Sequence, residues 1–100
     1  MVKRRVIWSD EATFELKEIL EFFKMRNKST SYSRKLYRRF KEELDIVAKR
    51  PEIGIKTSRE NTRGLIIDTY IIFYEFKAEV IEVLELWDTR QDPDKVRIKR

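Results

Sequence analysis

The chain contains no cysteine and no histidine, so any proton transfer or phosphate chemistry must come from Arg, Lys, Asp, Glu and Tyr. Arg90 is the sharpest candidate. It lies in "LWDTRQDP", where the apolar/acidic alternation of "VIEVLEL" runs into a polar segment ending in proline. A guanidinium fixed at a strand end offers paired N–H donors to a phosphate or to a partner's carboxylate. The structural alternative is a local Asp88–Arg90 pair that pins the turn. Arg63, with Lys56 and Arg59 in the segment before it, would form a basic rim for a target, or simply a solvated loop. Glu52 in "PEIG" is the carboxylate to consider as a general base, although such residues commonly just border a helix end. Tyr70 opens the most apolar strand and could be exposed there. Arg34, Arg38 and Lys41 share one helix face, which suits an anionic partner or ordinary solvation. Trp8 and Trp87 are candidates for the core or for partner contact.

One hundred residues with 41% hydrophobic and 41% charged side chains are enough for one small core beneath a charged surface. Residues 1–92 are expected to form a single domain, followed by a loosely ordered basic tail at 93–100. A net charge of +5 and a pI near 9.6 suit an anionic partner such as nucleic acid, a ribosome or an acidic protein segment. The missing cysteines exclude disulfides and thiolate zinc sites, and no metal or cofactor is implied. No apolar run approaches the ~20 residues of a membrane span, and a cytoplasmic location is expected.

The elements that must position these residues follow from spacing. Val2, Val6 and Trp8 share one face of a short edge strand. Ser9 caps a first helix whose opening turn carries Asp10 and Glu11, where the helix dipole favours negative charge. Ala12, Leu16, Ile19 and Phe23 form its buried stripe, to about Met25. A second helix starts near Thr30 or Ser31, buries Tyr32, Leu36, Phe40, Leu44 and Val47, and ends before Pro51. A polar loop of about a dozen residues follows. Breaks at Asp68-Thr69 and Lys77-Ala78 then divide the β region into strands at about 64–67, 69–76 and 79–87. The order β-α-α-β-β-β predicts an α+β fold, a helical hairpin packed on a four-stranded, mostly antiparallel sheet. Antiparallel pairing of the last two strands brings Asp88 and Arg90 to the end that holds Asp68 and Tyr70. Arg63 falls at the opposite end, ~13 Å away.

Four segments, "IWSDEATFELKEI", "IVAKRPEIG", "TRGL...YIIFYEF" and "VLELWDTRQDP", resemble in order and spacing the RelE/ParE superfamily of bacterial type II toxins, across nearly the whole chain. The resemblance implies a toxin neutralised by a cognate antitoxin, with promoter DNA met only through the antitoxin complex. It also implies one of two targets: RelE-like members cut mRNA on the ribosome, and ParE-like members poison DNA gyrase. A nuclease of this type needs a base, an acid and cations on the phosphorane. Arg63, Arg90, Glu52 and Tyr70 are the catalytic candidates for such a metal-independent site, and Lys56, Arg59, Arg63 and Arg90 the target-binding ones. Trp8, Trp87, Arg34, Arg38 and Lys41 are the candidates for partner contact. The nuclease pattern has an arginine where this chain has Ile71, and no His or Tyr follows "WDTRQDP". Both departures lean the expectation to ParE-like inhibition by binding, with a ribosome-dependent endonuclease as the alternative and a non-toxic basic binding module as a further one.

Overall fold

In the computed structural model, which describes residues 3–96 and 98, two helices pack on one face of a five-stranded sheet. Strand β1 (Arg5–Trp8) leads into helix α1 (Asp10–Asn27), and Ser9 is its N-cap, accepting a hydrogen bond from the Ala12 N–H at 3.0 Å. Helix α2 (Ser31–Lys49) starts after Thr30 and ends at Arg50, before Pro51. Lys28 closes α1 in the left-handed region, φ 52°, and turns the chain back so that the helices lie side by side. The Ser33 hydroxyl, donating to Leu20 O at 2.7 Å, ties them together.

Strands β2 (Ile55–Lys56), β3 (Thr62–Ile67), β4 (Tyr70–Phe76) and β5 (Val80–Asp88) complete the sheet in the order β1-β5-β4-β3-β2. The β1–β5 pair is parallel and the other three are antiparallel. The expected edge strand β1 and central strand β4 are both found. The sheet has five strands rather than four because Ile55 and Lys56, inside the expected loop, pair with Gly64 and Arg63. Two exposed residues give no alternation to detect, so their strand character comes from the neighbour alone. Asp68, in the left-handed region at φ 53°, makes the tight β3–β4 connection, a conformation Asp tolerates better than most residues.

The main core lies between the helices and the sheet, with Phe40, Leu44, Val47, Ile72, Tyr74, Ile81 and Val83 fully or almost fully buried. Tyr32, assigned by spacing to the buried stripe, is instead exposed and packs its ring against Phe23 at 4.7 Å. At the first turn of a helix a stripe position can overhang the core edge. β5 bulges at Leu84: Val83 pairs with Tyr74 and Glu85 with Phe73, leaving Leu84 as the extra residue. The bulge shifts the side-chain parity, which is why Ile81, Val83 and Leu86 all reach the main core.

On the other face of the sheet Ile71, Phe73, Leu84 and Trp87 form a second apolar cluster. Val96 and Ile98 pack onto it after a single 3₁₀ turn (Pro93–Lys95) capped by Asp92, so the described part of the expected loose tail is docked on the sheet. Val2 lies outside the described residues.

Tyr74 joins the core to the segment after α2. Its hydroxyl donates to Pro51 O at 2.7 Å and accepts from the Gly54 N–H at 3.1 Å. Gly54 must be glycine here, because a Cβ would lie 2.7 Å from that hydroxyl and 2.8 Å from Arg63 Cβ. Tyr74→Phe leaves a buried donor and acceptor unmatched and is expected to cost about 1–3 kcal/mol in urea unfolding; a change below a few tenths would mean that the two backbone groups find other partners.

Candidate functional site

The structure places the sequence-derived residues in three separate regions. The first is the end of the sheet where β4 begins and β5 stops. Tyr70 pairs with Asp88, and Thr89 N donates to Thr69 O at 2.7 Å, so Arg90 stands beside the β3–β4 turn as the topology requires. Arg90 grips Asp88 through Nε (3.0 Å) and Nη2 (2.8 Å), and its backbone N–H also donates to the same carboxylate at 2.9 Å. The local ion pair and the presented cation thus coexist. The fork uses two of the five guanidinium N–H groups, and the side chain is still 58% exposed.

Arg90 borders two concavities. One, of about 410 Å³, lies between α1 and the end of β5 and is lined by Ile19, Phe22, Tyr70, Leu86 and Trp87 among others. β1 ends opposite Val83, so among the described residues β5 has no strand neighbour on that side beyond it. Glu15 of α1 covers the gap by accepting the Leu86 N–H at 3.0 Å. The second concavity, of about 450 Å³, includes Arg26, Asn27, Tyr32, Asp68 and Tyr70. An ion pair that sequence reasoning missed, Arg39 Nη1 donating to both Asp68 oxygens at 2.8 Å, stands at that turn. The break at Asp68-Thr69 was the available signal, but the partner of Asp68 is a fold-level fact.

Tyr70, which its place at a strand end could have left exposed, is buried and packs edge-on against Phe40 at 5.7 Å. Burial, with the Asp88 charge adding, pushes its hydroxyl above the ordinary tyrosine value, against the opposing Arg90 cation. It therefore stays protonated at neutral pH and is suited to donate a hydrogen bond. The Arg90 hydrogen bonds, opposed by burial, hold the Asp88 carboxyl below its ordinary 3.8. A depressed carboxylate stabilises the fold above its unfolded value, and that stability is lost as pH falls from about 4 through the lower folded value. Asp88→Asn should therefore destabilise at pH 7 and converge with the unaltered protein in acid unfolding as pH falls through the lowered carboxyl value; a constant difference at every pH would show that charge is not involved.

The second region is the far end of β3. Arg63 pairs with Tyr74, four rungs along β4 from Tyr70. Its Nη1 donates to Glu52 O and Gly54 O, each at 3.2 Å, and its guanidinium lies 6.0 Å from the Phe76 ring centroid. The side chain is only 17% exposed, and Glu52, 75% exposed, stands 4.0 Å away. Arg63 and Glu52 do come together, but Arg63 is spent on binding the Pro51–Gly54 segment to the sheet. Lys56 and Arg59 line a shallow depression with Arg63, shaped by Thr57 Oγ1, which donates to Thr62 O at 2.9 Å. Arg63 and Arg90 do not converge on one ligand atom.

The third region is the solvent face of α2, where Arg34, Arg38 and Lys41 are exposed. Trp8 packs against the main core and Trp87 against the outer cluster. The residues grouped for partner contact are therefore divided among different surfaces. Sequence reasoning also missed Phe14, Phe22 and Met25 on α1, which are 62%, 56% and 69% exposed. Among the described residues, no group of three or more acidic side chains is arranged to hold a metal, and no helix is long and apolar enough to cross a membrane.

A helical hairpin on one face of a mixed sheet, with cations at both sheet ends, has the architecture of a type II toxin domain of the RelE/ParE superfamily. The family described as "ParE toxin of type II toxin-antitoxin system, parDE" matches residues 6–93, and the chain belongs to it. Among solved structures, one described as "Chromosomal ParDE TA system from P. aeruginosa" superposes with a TM-score of 0.69 at 14% identity, over 84% of this chain and 94% of that one. That likeness is one of fold. No curated protein matches the sequence.

Proposed function

We propose that this toxin arrests growth by binding DNA gyrase rather than by cutting RNA, and that a cognate antitoxin neutralises it. The observation that carries the proposal is Ile71. It lies on central strand β4, 6% exposed, packed with Phe73 and Ile98 on the outer face of the sheet. The resemblance to the nuclease branch implies an arginine at that place, and here the surroundings are an apolar cluster. The separation of Arg63 from Arg90 supports the same reading, since the four rungs from Arg63's partner Tyr74 to Tyr70, beside Asp88, already correspond to ~13 Å along the strand. So does the protonated, buried Tyr70, which can orient a ligand but is a poor base.

Binding would use the Arg90 end of the sheet, where a cation stands between two concavities with Trp87 and Phe22 on one side. The antitoxin would cover part of the same region and the apolar positions of α1, since exposed apolar clusters of this kind mark interaction surfaces. The test is purified protein added in parallel to gyrase supercoiling reactions and to ribosomes carrying a defined mRNA. Loss of supercoiling with intact mRNA is expected. Cleavage of the mRNA in the A-site codon, with gyrase unaffected, would overturn the proposal.

A further inference from the structure

Charge is unevenly distributed along this chain. Residues 22–41 carry eight Lys or Arg and no Asp or Glu, while the other eighty residues carry fifteen basic against eighteen acidic side chains. The whole positive excess therefore resides in the end of α1, the inter-helix turn and the first half of α2. Ion pairing does little to dissipate it: within that segment, among the described residues, only Arg39 is in a salt bridge, to Asp68.

α2 concentrates this charge on one side. Its buried face is set by Ser33, Leu36, Phe40, Leu44 and Val47, which turns Arg34, Lys35, Arg38 and Lys41 outward, all exposed. Arg34, Arg38 and Lys41 fall within one stripe ~10 Å long at 1.5 Å per residue. We propose that this stripe is a binding surface for the phosphate backbone of duplex DNA, carried by the toxin itself and independent of any antitoxin-borne DNA contact.

Three features select this ligand. The stripe has no apolar centre: Tyr37 is the large hydrophobic side chain exposed between Arg34 and Lys41, whereas the cores of protein interfaces are apolar and depleted of charge. Single-stranded nucleic acid is bound largely by stacking on several open aromatic faces, and here, among the described residues, Tyr37 stands without a second open ring beside it. Lys41 Nζ lies 5.6 Å from the Tyr37 ring centroid, and Tyr32 packs against Phe23. What is left is a row of flexible cations ~10 Å long, about three of the 3.4 Å axial steps that separate successive phosphates of one strand.

The test is fluorescence anisotropy of a labelled 20-base-pair duplex of arbitrary sequence with the purified full chain across a salt series. It compares the unaltered protein with R34Q/R38Q/K41Q and with R5Q/K49Q/K95Q, which removes equal charge elsewhere from exposed positions. Circular dichroism verifies that all three are folded. Each lost phosphate contact reduces the log–log salt slope by about 0.9, so the α2 variant should lose about 2 to 3 in slope, or about 40-fold in affinity across a fourfold salt change. The control variant should lose less than about 1. Equal losses in the two variants, or tighter binding to single-stranded RNA or to a poly-glutamate peptide than to the duplex, would overturn the proposal.

Discussion

Phe40→Ala should remove about 3–5 kcal/mol of stability, read as a fall of roughly 2 M in the urea midpoint. Phe40 is fully buried in α2, in the same core cluster as Ile72 and Tyr74, and meets Tyr70 edge-on. Truncation loses the transfer energy of the ring and leaves a cavity between helix and sheet that rigid strands cannot close. Small domains hold only about 5–15 kcal/mol in total, so the variant should be partly unfolded at 37 °C and weak in growth arrest because little native protein remains. A midpoint shift below about 0.5 M, against a urea slope of 1–3 kcal/mol/M, would mean that the core relaxes around the gap and that the hairpin is less firmly seated than its burial implies.

Arg90→Ala should reduce inhibition by at least about 30-fold, a typical effect of truncating an arginine anchor at an interface, with native unfolding behaviour largely retained. The guanidinium is exposed, stands between two concavities and is oriented by its fork on Asp88. Arg90→Lys should recover only part of the effect, because an ammonium cannot hold Asp88 bidentately and present further donors in the same plane. Asp88→Asn separates the two roles of this side chain. If Arg90 merely pins the terminal turn, Asp88→Asn and Arg90→Ala will impair inhibition equally. If Arg90 touches the target, Asp88→Asn will be the milder. Undiminished inhibition by Arg90→Ala would remove this end of the sheet from the binding surface.

The shared end of Tyr70, Asp88 and Arg90 was legible in the sequence because a meander with known breaks has only one antiparallel pairing of its last strands. Arg63 was legible in position but not in what its side chain holds. Its place at the far end of β3 follows from the turn at Asp68-Thr69, but nothing local indicates that the Glu52 and Gly54 carbonyls fold back to receive it. Tyr70 was similar: its place at a strand end is a sequence fact, and its burial depends on Phe40 arriving from a helix thirty residues earlier. The basic segment 22–41 is plain in composition, yet its presentation as one stripe needed the helix phase fixed by Leu36, Phe40 and Leu44.

By itself the sequence determined whatever depends on neighbours within a few positions. The Ser9 cap, the buried stripes of both helices, the stop before Pro51, the doubly apolar β4 and the Asp88–Arg90 pair all rest on local spacing and local chemistry. Only the tertiary structure decided the pairing of Ile55–Lys56 as a fifth strand, the bulge at Leu84, the docking of Val96 and Ile98 on the outer face, and the commitment of Arg63 to backbone carbonyls. Each of these is a contact between segments distant in the chain or without a periodic pattern of their own. Their partners are fixed by the packing of the sheet, and no spacing along the chain encodes that.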